Sequence, residues 1–349
     1  MQKQRASIVF RLTMLILVVA LVVAVSGCGG DSAPEPAQEE EPAGPTPKDS
    51  YTIAFMVKNM FNPFWKLCKI GAEKAAAETG KVRIVHYSPT KPDNIEEQTR
   101  MVEDITQKFL AGEIDGMVFV PVDYKALVPA LNEALDAGMP IVIYCNNMDD
   151  FAQNDRYIAY VGQNDYELGK AIAEYAFSKV DYSGKVVIIE GVPAAITNID
   201  RMRGFHETLQ KYPDMELIAS QTGQYRRVPG MQVMENLLQT HPQIDVVLSA
   251  NDDMALGCIE AIEAAGRLGE MVVTGIDGIP DSLASIRAGR LTATIDYSGF
   301  RQGYNSVHMI VKALDGEPVD RLIMLDFTVI TQDNIEDFLR QLDEIGQPY

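Results

Sequence analysis

From Tyr51 onward, short apolar runs alternate with longer amphipathic stretches. The apolar runs in the first half of the chain are Thr52–Val57, Val82–Tyr87, Gly116–Val120 and Ile141–Tyr144. The stretches with helical periodicity between them are Phe64–Thr79, Asn94–Ala111 and Tyr124–Ala137. Gly80 and Gly138 follow two of these stretches directly, at the position where a left-handed residue commonly ends a helix. Continuous apolar strands that alternate with helices predict a parallel sheet covered on both faces.

The same alternation begins again in the second half. Its predicted strands are Val186–Glu190, Leu217–Ser220, Val246–Ser249, Met271–Thr274 and Ala293–Ile295. Its predicted helices are Asp165–Lys179, Arg201–Tyr212, Val228–Thr240 and Met254–Ala265. Two similar α/β halves of this size predict two doubly wound domains, each with its own parallel sheet. A single (β/α)8 barrel is the alternative architecture that this pattern allows.

The N-terminus predicts a secretory signal. Three basic residues precede the apolar run Leu12–Val25, and Ser26-Gly27-Cys28 follows it, which resembles the lipobox of bacterial lipoproteins. The resemblance implies removal of residues 1–27 and lipid attachment to Cys28, which would anchor the protein on the outer face of the cell membrane. The alternative is a plain transmembrane anchor, but this run falls short of the ~20 residues that a spanning helix needs.

Composition places the rest of the chain in solution outside the membrane. Residues 28–50 are rich in proline and glutamate without apolar periodicity, so we predict a solvated tether. The whole chain has a net charge of −19, and without residues 1–27, which hold three basic and no acidic residues, the charge is −22. This acidity argues against nucleic acid or anionic lipid headgroups as partners.

Catalytic and metal-binding motifs are missing from the sequence. It contains no G-x-S-x-G elbow and no Walker loop, and its four histidines are scattered. The three cysteines beyond the lipobox, Cys68, Cys145 and Cys258, are widely spaced and form neither a disulfide framework nor a metal-binding motif. We therefore predict a binding protein that is not an enzyme and that has no cofactor or metal.

Loops that leave the predicted strands carry the candidate binding residues, because ligands of open parallel sheets bind beyond the carboxyl ends of the strands. The four loops richest in polar or aromatic side chains are Lys58–Trp65, Cys145–Asn147, Ala250–Asp253 and Gly275–Gly278. In the first of these, Asn62 is suited to cap a helix that starts at Pro63. The rings of Phe64 and Trp65 then either pack into the core or stack on a ligand.

Two further loops supply polar groups that suit ligand hydroxyls. In the loop after Val246–Ser249, we expect Asp252 to cap the following helix and Asn251 to remain free as a donor and acceptor. At the tip of the next strand, Asp277 is able to accept two charge-assisted hydrogen bonds from hydroxyl groups, or simply to form an Asx turn.

Several motifs in order connect residues 51–333 to a known family. They are Asn62-Pro63-Phe64-Trp65, Ile114-Asp115-Gly116, Met139-Pro140-Ile141-Val142, Asp165-Tyr166-Glu167-Leu168-Gly169, Arg203-Gly204-Phe205, Asn251-Asp252-Asp253-Met254-Ala255-Leu256-Gly257 and Gly275-Ile276-Asp277-Gly278. With these motifs, the chain resembles the ribose and galactose class of periplasmic sugar-binding proteins of ABC transporters, which have the type I fold. The resemblance implies two lobes that close around a monosaccharide.

The resemblance also implies the boundaries of the lobes. Three crossovers between the lobes are expected near Gln163-Asn164, Tyr297-Ser298 and Asp326-Phe327. The N-terminal lobe then contains residues 51–163 and 298–326, and the C-terminal lobe contains residues 164–297 and 327–349.

Six positions of the family's binding cleft carry over to this chain, and the others depart from the family pattern. The positions that carry over are Asn62, Phe64, Trp65, Tyr225, Asn251 and Asp277. Cys145-Asn146 stands where sugar binders usually have Asp-Arg, and Tyr297 stands where they have glutamine. The expected arginine falls at Ile199, so Arg201 provides the nearest guanidinium. These departures predict a cleft that is less charged and more aromatic than a ribose site.

The resemblance implies capture of a small sugar or polyol for the permease subunits of an ABC importer. Cys145 and Tyr297 would suit a deoxy-sugar, a cyclitol or a nucleoside-like ring better than a hydroxyl-rich pyranose. A repressor with the same ligand core would need a basic helix-turn-helix, whereas this chain begins with a signal and an acidic tether. A ligand-sensing subunit for a membrane histidine kinase or chemoreceptor remains the alternative function.

Overall fold

The computed structural model describes residues 47–146 and 156–349. The predicted signal, Cys28 and most of the predicted tether lie outside the described residues. Strands of the described part are β1 (Tyr51–Met56), β2 (Val82–Tyr87), β3 (Gly116–Phe119), β4 (Ile141–Tyr144), β5 (Ala159–Gly162), β6 (Gly184–Glu190), β7 (Met215–Thr222), β8 (Val246–Ser249), β9 (Val272–Thr274), β10 (Ala293–Ile295), β11 (Leu322–Met324) and β12 (Val329–Thr331).

Helices of the same part are α1 (Pro63–Thr79), α2 (Ile95–Leu110), α3 (Val128–Asp136), α4 (Asp165–Ser178), α5 (Ile196–Lys211), α6 (Arg227–Thr240), α7 (Asp252–Ala264), α8 (Pro280–Arg287), α9 (Gly299–Leu314) and α10 (Ile335–Ile345). None of the described helices is both long enough and apolar enough to cross a bilayer.

The strands form two separate six-stranded sheets, ordered β11-β5-β4-β3-β1-β2 and β12-β10-β9-β8-β6-β7. Every pairing is parallel except that of β10 with β12, which is antiparallel. Strands β3, β4 and β8 are buried along their whole length, as expected for sheets covered on both faces. The prediction of two doubly wound α/β lobes is therefore confirmed, and the barrel alternative is wrong because each sheet is open.

Most predicted elements lie where the hydrophobic pattern places them, with differences at some boundaries. Helix α5 begins at Ile196, five residues before the predicted start, and its N-cap position, Ala195, has no side chain able to cap. Helix α3 begins only at Val128. The pattern did not single out the short strands β5, β11 and β12 or the helices α8, α9 and α10.

The chain passes between the two sheets three times: after β5, after β10 and after β11. The side chain of Gln163, which follows β5, connects the three segments. Its Nε2 donates to the carbonyl of Asp296 at 3.0 Å and to that of Asp326 at 2.9 Å. Arg301 adds a second link, since its Nη2 donates to the Asp296 carboxylate and to the Asp326 carbonyl. Whether these segments bend as a hinge remains a prediction.

Helices α1 and α9 cross in close backbone contact. A Cβ atom on Gly71 would lie 1.9 Å from the carbonyl oxygen of Phe300, and one on Gly303 would lie 1.9 Å from that of Cys68. Any larger residue at either position would therefore push the two helices apart. This contact brings the start of α1 beside the crossover that precedes α9, and the candidate site is built at that point.

Candidate ligand-binding site

A cavity of about 500 Å³ lies between the two sheets, at the ends of the strands from which the predicted binding loops leave. All ten residues predicted to bind ligand line this cavity, namely Asn62, Phe64, Trp65, Cys145, Asn146, Arg201, Tyr225, Asn251, Asp277 and Tyr297. The fold therefore brings together residues that are up to 235 positions apart in the sequence. Whether each of them contacts a ligand remains a prediction.

Asn62 positions the aromatic part of the wall. Its Oδ1 accepts a hydrogen bond of 2.9 Å from the backbone N–H of Phe64, so it caps α1, with Pro63 in the first turn. The predicted cap is thus confirmed. The ring of Phe64 stacks on Tyr297, with centroids 5.3 Å apart, and meets Trp65 edge to face at 4.9 Å. Phe64 and Trp65 are both buried, so each ring belongs to the core and to the cavity wall at once.

Cys145 occupies a strained backbone position at the end of β4. Its φ is 63°, which is uncommon for a residue with a side chain. Its carbonyl accepts hydrogen bonds from the hydroxyls of Tyr160 at 2.8 Å and Tyr297 at 3.2 Å. Burial raises the pKa of the thiol to about 12, so it stays protonated and unreactive. Cys145 therefore presents a small, neutral surface to the cavity.

The side-chain amide of Asn146 contacts other groups of the protein. Its Nδ2 donates to the carbonyl of Pro121 at 2.8 Å, and its Oδ1 lies 3.6 Å from the thiol of Cys145. These two contacts fix the orientation of the amide, and one N–H donor and one lone pair of Oδ1 remain for a ligand.

Arg201 lies at the base of the cavity and is 2% exposed. Its Nε donates to Oδ1 of Asp165 and its Nη1 donates to the carbonyl of Ala250, both at 2.7 Å. The guanidinium also lies over the ring of Tyr297, 4.4 Å from the centroid. Burial raises the pKa of Asp165 to about 6, while the charge of Arg201 acts to lower it. Arg201 is therefore fixed by both a carboxylate and an aromatic face.

Tyr297 connects the two lobes through this network. Its hydroxyl lies 3.0 Å from Oδ2 of Asp165 and 3.2 Å from the carbonyl of Cys145, which follows a strand of the other sheet. Burial raises the pKa of the Tyr297 hydroxyl well above its usual value, so it remains a hydrogen-bond donor. Tyr297 thus connects Asp165 of one lobe to Cys145 of the other through a single hydroxyl group.

Asp277 is a buried carboxylate that meets the side chains of Asn62, Asn251 and Arg201. It is 4% exposed, Nδ2 of Asn251 donates to it at a long 3.4 Å, and Nη1 of Arg201 is 3.9 Å away. Burial raises its pKa well above the ordinary range, the charge of Asp252 adds to that rise, and Arg201 opposes it. Its φ of 154° is also rare for a residue with a side chain. A carboxylate in this environment is poised to accept hydrogen bonds from ligand hydroxyls.

The expected roles of Asn251 and Asp252 were wrong. Asn251 caps α7, since its Oδ1 accepts from the N–H of Met254 at 3.1 Å. Asp252 is fully buried and does not cap the helix. Instead it accepts from the backbone of Gly278 and Ile279 and from the hydroxyls of Ser282 and Thr294. Only the Nδ2 side of Asn251 is left to face the cavity, so this residue is a donor there and not the combined donor and acceptor expected.

Tyr225 closes another side of the cavity. It has a left-handed φ of 57°, and its hydroxyl lies 3.2 Å from Oγ1 of Thr197. Burial raises the pKa of this hydroxyl, so it remains protonated. Tyr225 therefore offers the cavity both an aromatic face and a hydroxyl group.

Several wall residues, some of them charged, were missed, and whether the cleft is less charged than a ribose site remains a prediction. Lys58 and Asp253 are buried and line the cavity together with Thr197, Arg226 and Arg227. Thr197 was missed because the predicted start of α5 came too late. Lys58 stands in a loop already marked as rich in polar residues, but a lysine in such a loop is ordinarily solvent-exposed.

Most of the chain matches one family of known proteins. Residues 53–318 match the family model described as the periplasmic binding protein domain. The chain is 32% identical over 299 residues to the ribose import binding protein of Bacillus subtilis, covering 85% of this chain and 93% of that protein.

Two solved structures extend the comparison. One is an ABC transporter solute binding protein of Bacillus halodurans with bound myo-inositol, at 27% identity and a TM-score of 0.77, covering 84% of this chain and 99% of that one. The other is a periplasmic solute binding protein of Actinobacillus succinogenes with bound D-allose. It is 26% identical with a TM-score of 0.77, and the match covers 82% of this chain and 100% of that one.

Proposed function

The chain belongs to the periplasmic binding protein family, and we propose that it captures a small sugar or polyol outside the cell and delivers it to the permease of an ABC importer. The relatives that it matches are solute-binding proteins, which confirms the prediction that it is not an enzyme. The observation that carries the proposal is the buried carboxylate of Asp277, which faces the cavity and whose polar contacts are the side chains of Asn62, Asn251 and Arg201, the last two at 3.4 and 3.9 Å.

The chemistry of the wall suits a polyhydroxylated ring. Asp277 accepts hydrogen bonds from hydroxyls, while Arg201 and Nδ2 of Asn251 donate to their lone pairs. Trp65 and Tyr225 supply aromatic surface for the C–H faces of a sugar. The volume of about 500 Å³ lies within the range of roughly 300–1,000 Å³ that is usual for small-molecule sites. The three relatives described above are named for ribose or hold D-allose or myo-inositol, which are all of this class.

The position of the cavity between the two sheets supports binding by closure of the two lobes. In this proposal the lobes comprise residues 51–163 with 298–326 and residues 164–297 with 327–349, and the crossovers act as the hinge. A ligand that contacts both walls binds the closed form more tightly than the open form. This difference in affinity is the only means by which the ligand shifts the equilibrium between the open and closed forms.

A thermal-shift screen with D-ribose, D-allose, myo-inositol and adenosine tests the proposed function. We expect at least one sugar or polyol to raise the melting temperature, since ligand at ~100 times its Kd adds about 2.7 kcal/mol of stability. Small-angle scattering with that compound should show a smaller radius of gyration. Stabilisation by adenosine alone would contradict the sugar assignment, and no stabilisation by any of the four would contradict the proposed function.

We further propose that Cys28 anchors the protein to the cell membrane through a lipid, as the Ser26-Gly27-Cys28 motif indicates. Cys28→Ser should therefore shift the protein from the detergent phase to the aqueous phase in a detergent partition of whole cells. Cys68→Ser is the matched control, since Cys68 is buried in the folded part and its loss should leave the partition unchanged. Mass spectrometry that finds wild-type protein without a lipid on Cys28 would overturn this proposal.

A further inference from the structure

We propose that the C-terminal tail, residues 346–349, is a latch that holds the two lobes together in the closed form and slows the release of ligand. This inference rests on the proposed function, because it concerns the closure by which the cavity captures its ligand. The tail lies outside residues 53–318, which match the family model. The role proposed for it requires no contact between the tail and the ligand.

The tail is anchored in the C-terminal lobe. It follows α10, and α10 follows β12, which pairs with β10 of the second sheet. Gly346 ends α10 with a left-handed φ of 68°, and the N–H of Gln347 then donates to the carbonyl of Leu342 at 2.9 Å. The hydroxyl of Tyr349 donates to Oδ2 of Asp343 in the same helix at 2.9 Å. These contacts fix the path of the tail over the end of α10.

The tail also lies close to the N-terminal lobe. A Cβ atom on Gly346 would lie 3.6 Å from Nζ and 3.7 Å from Cε of Lys74, which belongs to α1. Gln347 is only 4% exposed, although its neighbours Gly346 and Pro348 are both exposed. The tail thus connects α10 of one lobe with α1 of the other.

A second cavity, the interlobe crevice, has a volume of about 490 Å³ and is lined by the tail and by both lobes. Its wall includes Met60, Phe61 and Ile70 of the N-terminal lobe and Pro280, Pro348 and Tyr349 of the C-terminal lobe. Phe61 also lines the ligand cavity, so the two cavities are neighbours. Phe61 and Tyr349 are still 63% and 47% exposed, which fits a contact that is able to open and close again.

The crevice is coupled to closure because its walls belong to different lobes. The structure has the lobes in contact, since the side chain of Asn62 meets Asp277 across the ligand cavity. A rotation about the crossovers that opens the ligand cavity would also separate the walls of the crevice and move the tail away from Lys74. This separation would expose apolar surface to water, so the crevice stabilises the closed form.

A larger population of the closed form raises the apparent affinity for a ligand that binds this form. Release requires the lobes to open and the contact at the crevice to break. The latch should therefore act mainly on the dissociation rate.

A variant that ends at Gly346 tests the inference, because it removes the latch but keeps α10 and the glycine that ends it. Wild type and variant are titrated calorimetrically with D-ribose, D-allose and myo-inositol. For each compound that wild type binds, we expect the truncation to weaken binding by roughly three- to thirtyfold. Stopped-flow fluorescence of Trp65, the only tryptophan of the chain, should show a correspondingly faster dissociation. Without ligand, small-angle scattering should give a larger radius of gyration for the truncated protein.

Ile70→Ala tests whether the tail acts through α1. Ile70 lines the crevice but not the ligand cavity. The substitution should weaken binding in the full chain and have a smaller effect in the truncated chain, because both changes disrupt the same contact. Leu110→Ser is the control, since it removes a 61% exposed leucine at the end of α2 and should leave affinity and dissociation rate unchanged.

Wild-type affinity and dissociation rate in the truncated protein would overturn the inference while leaving the proposed function intact. Additive losses from the truncation and Ile70→Ala would also overturn it, because the tail would then act within the C-terminal lobe alone. If wild type binds none of the three compounds, the proposed function fails, and the scattering of the unliganded proteins still decides the inference. Equal radii of gyration for wild type and the truncated protein would then contradict the latch.

Discussion

Asp277→Asn should weaken the binding of a sugar by roughly ten- to a hundredfold or more. The asparagine keeps the shape of the side chain, but it replaces a charged acceptor with a neutral amide that can accept at one oxygen only. Hydrogen bonds to a charged group contribute about 1.5–3 kcal/mol, and ligand hydroxyls left without an acceptor in a buried site add a desolvation cost. Calorimetric titration with the sugar found in the thermal-shift screen measures the loss.

The same substitution should stabilise the free protein at neutral pH. Burial raises the pKa of Asp277 in the folded state above its unfolded value, so between these two values the folded protein binds more protons than the unfolded chain. Its stability therefore falls as the pH rises through that window. Asparagine does not titrate, so the gain from Asp277→Asn should be small near pH 4 and increase as the pH rises.

Asp333→Asn is the matched control for both effects, because it removes an exposed carboxylate that does not line the cavity. It should change neither the affinity nor the pH dependence of melting. If Asp277→Asn binds the sugar with wild-type affinity, the position of the site inferred from the family resemblance is wrong. If its unliganded melting temperature is lower than that of wild type at pH 8, the carboxylate has a structural partner that outweighs its burial cost.

Arg201→Met should destabilise the protein by about 3–5 kcal/mol at pH 8 and abolish measurable sugar binding. Removal of one member of a buried ion pair leaves an uncompensated charge, and that charge accounts for most of the cost. Here the substitution leaves the carboxylates of Asp165 and Asp277 without their cation and the carbonyl of Ala250 without its donor. Urea denaturation of the unliganded protein measures the change in the free energy of unfolding.

The pH dependence of this loss identifies its cause. The pKa of Asp165 is already raised to about 6 by burial, and loss of Arg201 should raise it further. Protonation then neutralises Asp165 in the variant, so the destabilisation should be smaller at pH 5 than at pH 8. The double variant Arg201→Met with Asp165→Asn should recover part of the stability at pH 8, because it removes both charges.

Arg203→Met is the control on the same helix. The Arg203 side chain is 61% exposed, and its ion pair with Asp200 is a surface contact, so its loss should cost no more than about 1 kcal/mol. Equal destabilisation by the two arginine substitutions would show that Arg201 does not carry a buried charge network.

Much of the fold was predictable from local pattern. The alternation of apolar runs and amphipathic stretches identified the strands at the centre of both sheets, since periodicity and burial on both faces leave a direct mark on the sequence. The three-residue strands β11 and β12 leave almost no periodicity, and part of β11 is exposed. Helix α5 was shortened for a related reason: its first turn has no capping side chain to mark the start.

For the candidate site, the sequence predicted which residues line the cavity better than it predicted the role of each residue. Strands of one parallel sheet present their carboxyl ends along the same edge, so loops far apart in the chain had to converge, and all ten predicted residues line one cavity. The roles inside that cavity were harder to predict. Capping rules favour Asn251 and Asp252 almost equally as the N-cap of α7. The choice is decided by hydrogen-bond donors at Gly278, Ile279 and Ser282, which bind the Asp252 carboxylate and lie more than 25 residues after it in the sequence.

The sequence by itself determined the type of each element, the two α/β halves and the loops in which the binding residues lie, because these follow from short-range periodicity and from the geometry of a parallel sheet. The tertiary structure alone decided which side chains are buried and which charges they meet. Arg201 is fixed by Asp165 and by the ring of Tyr297, while the buried Lys58 lines the cavity. Solvation and charge pairing depend on the distance between segments that are remote in the chain, and no local pattern of residues records that distance.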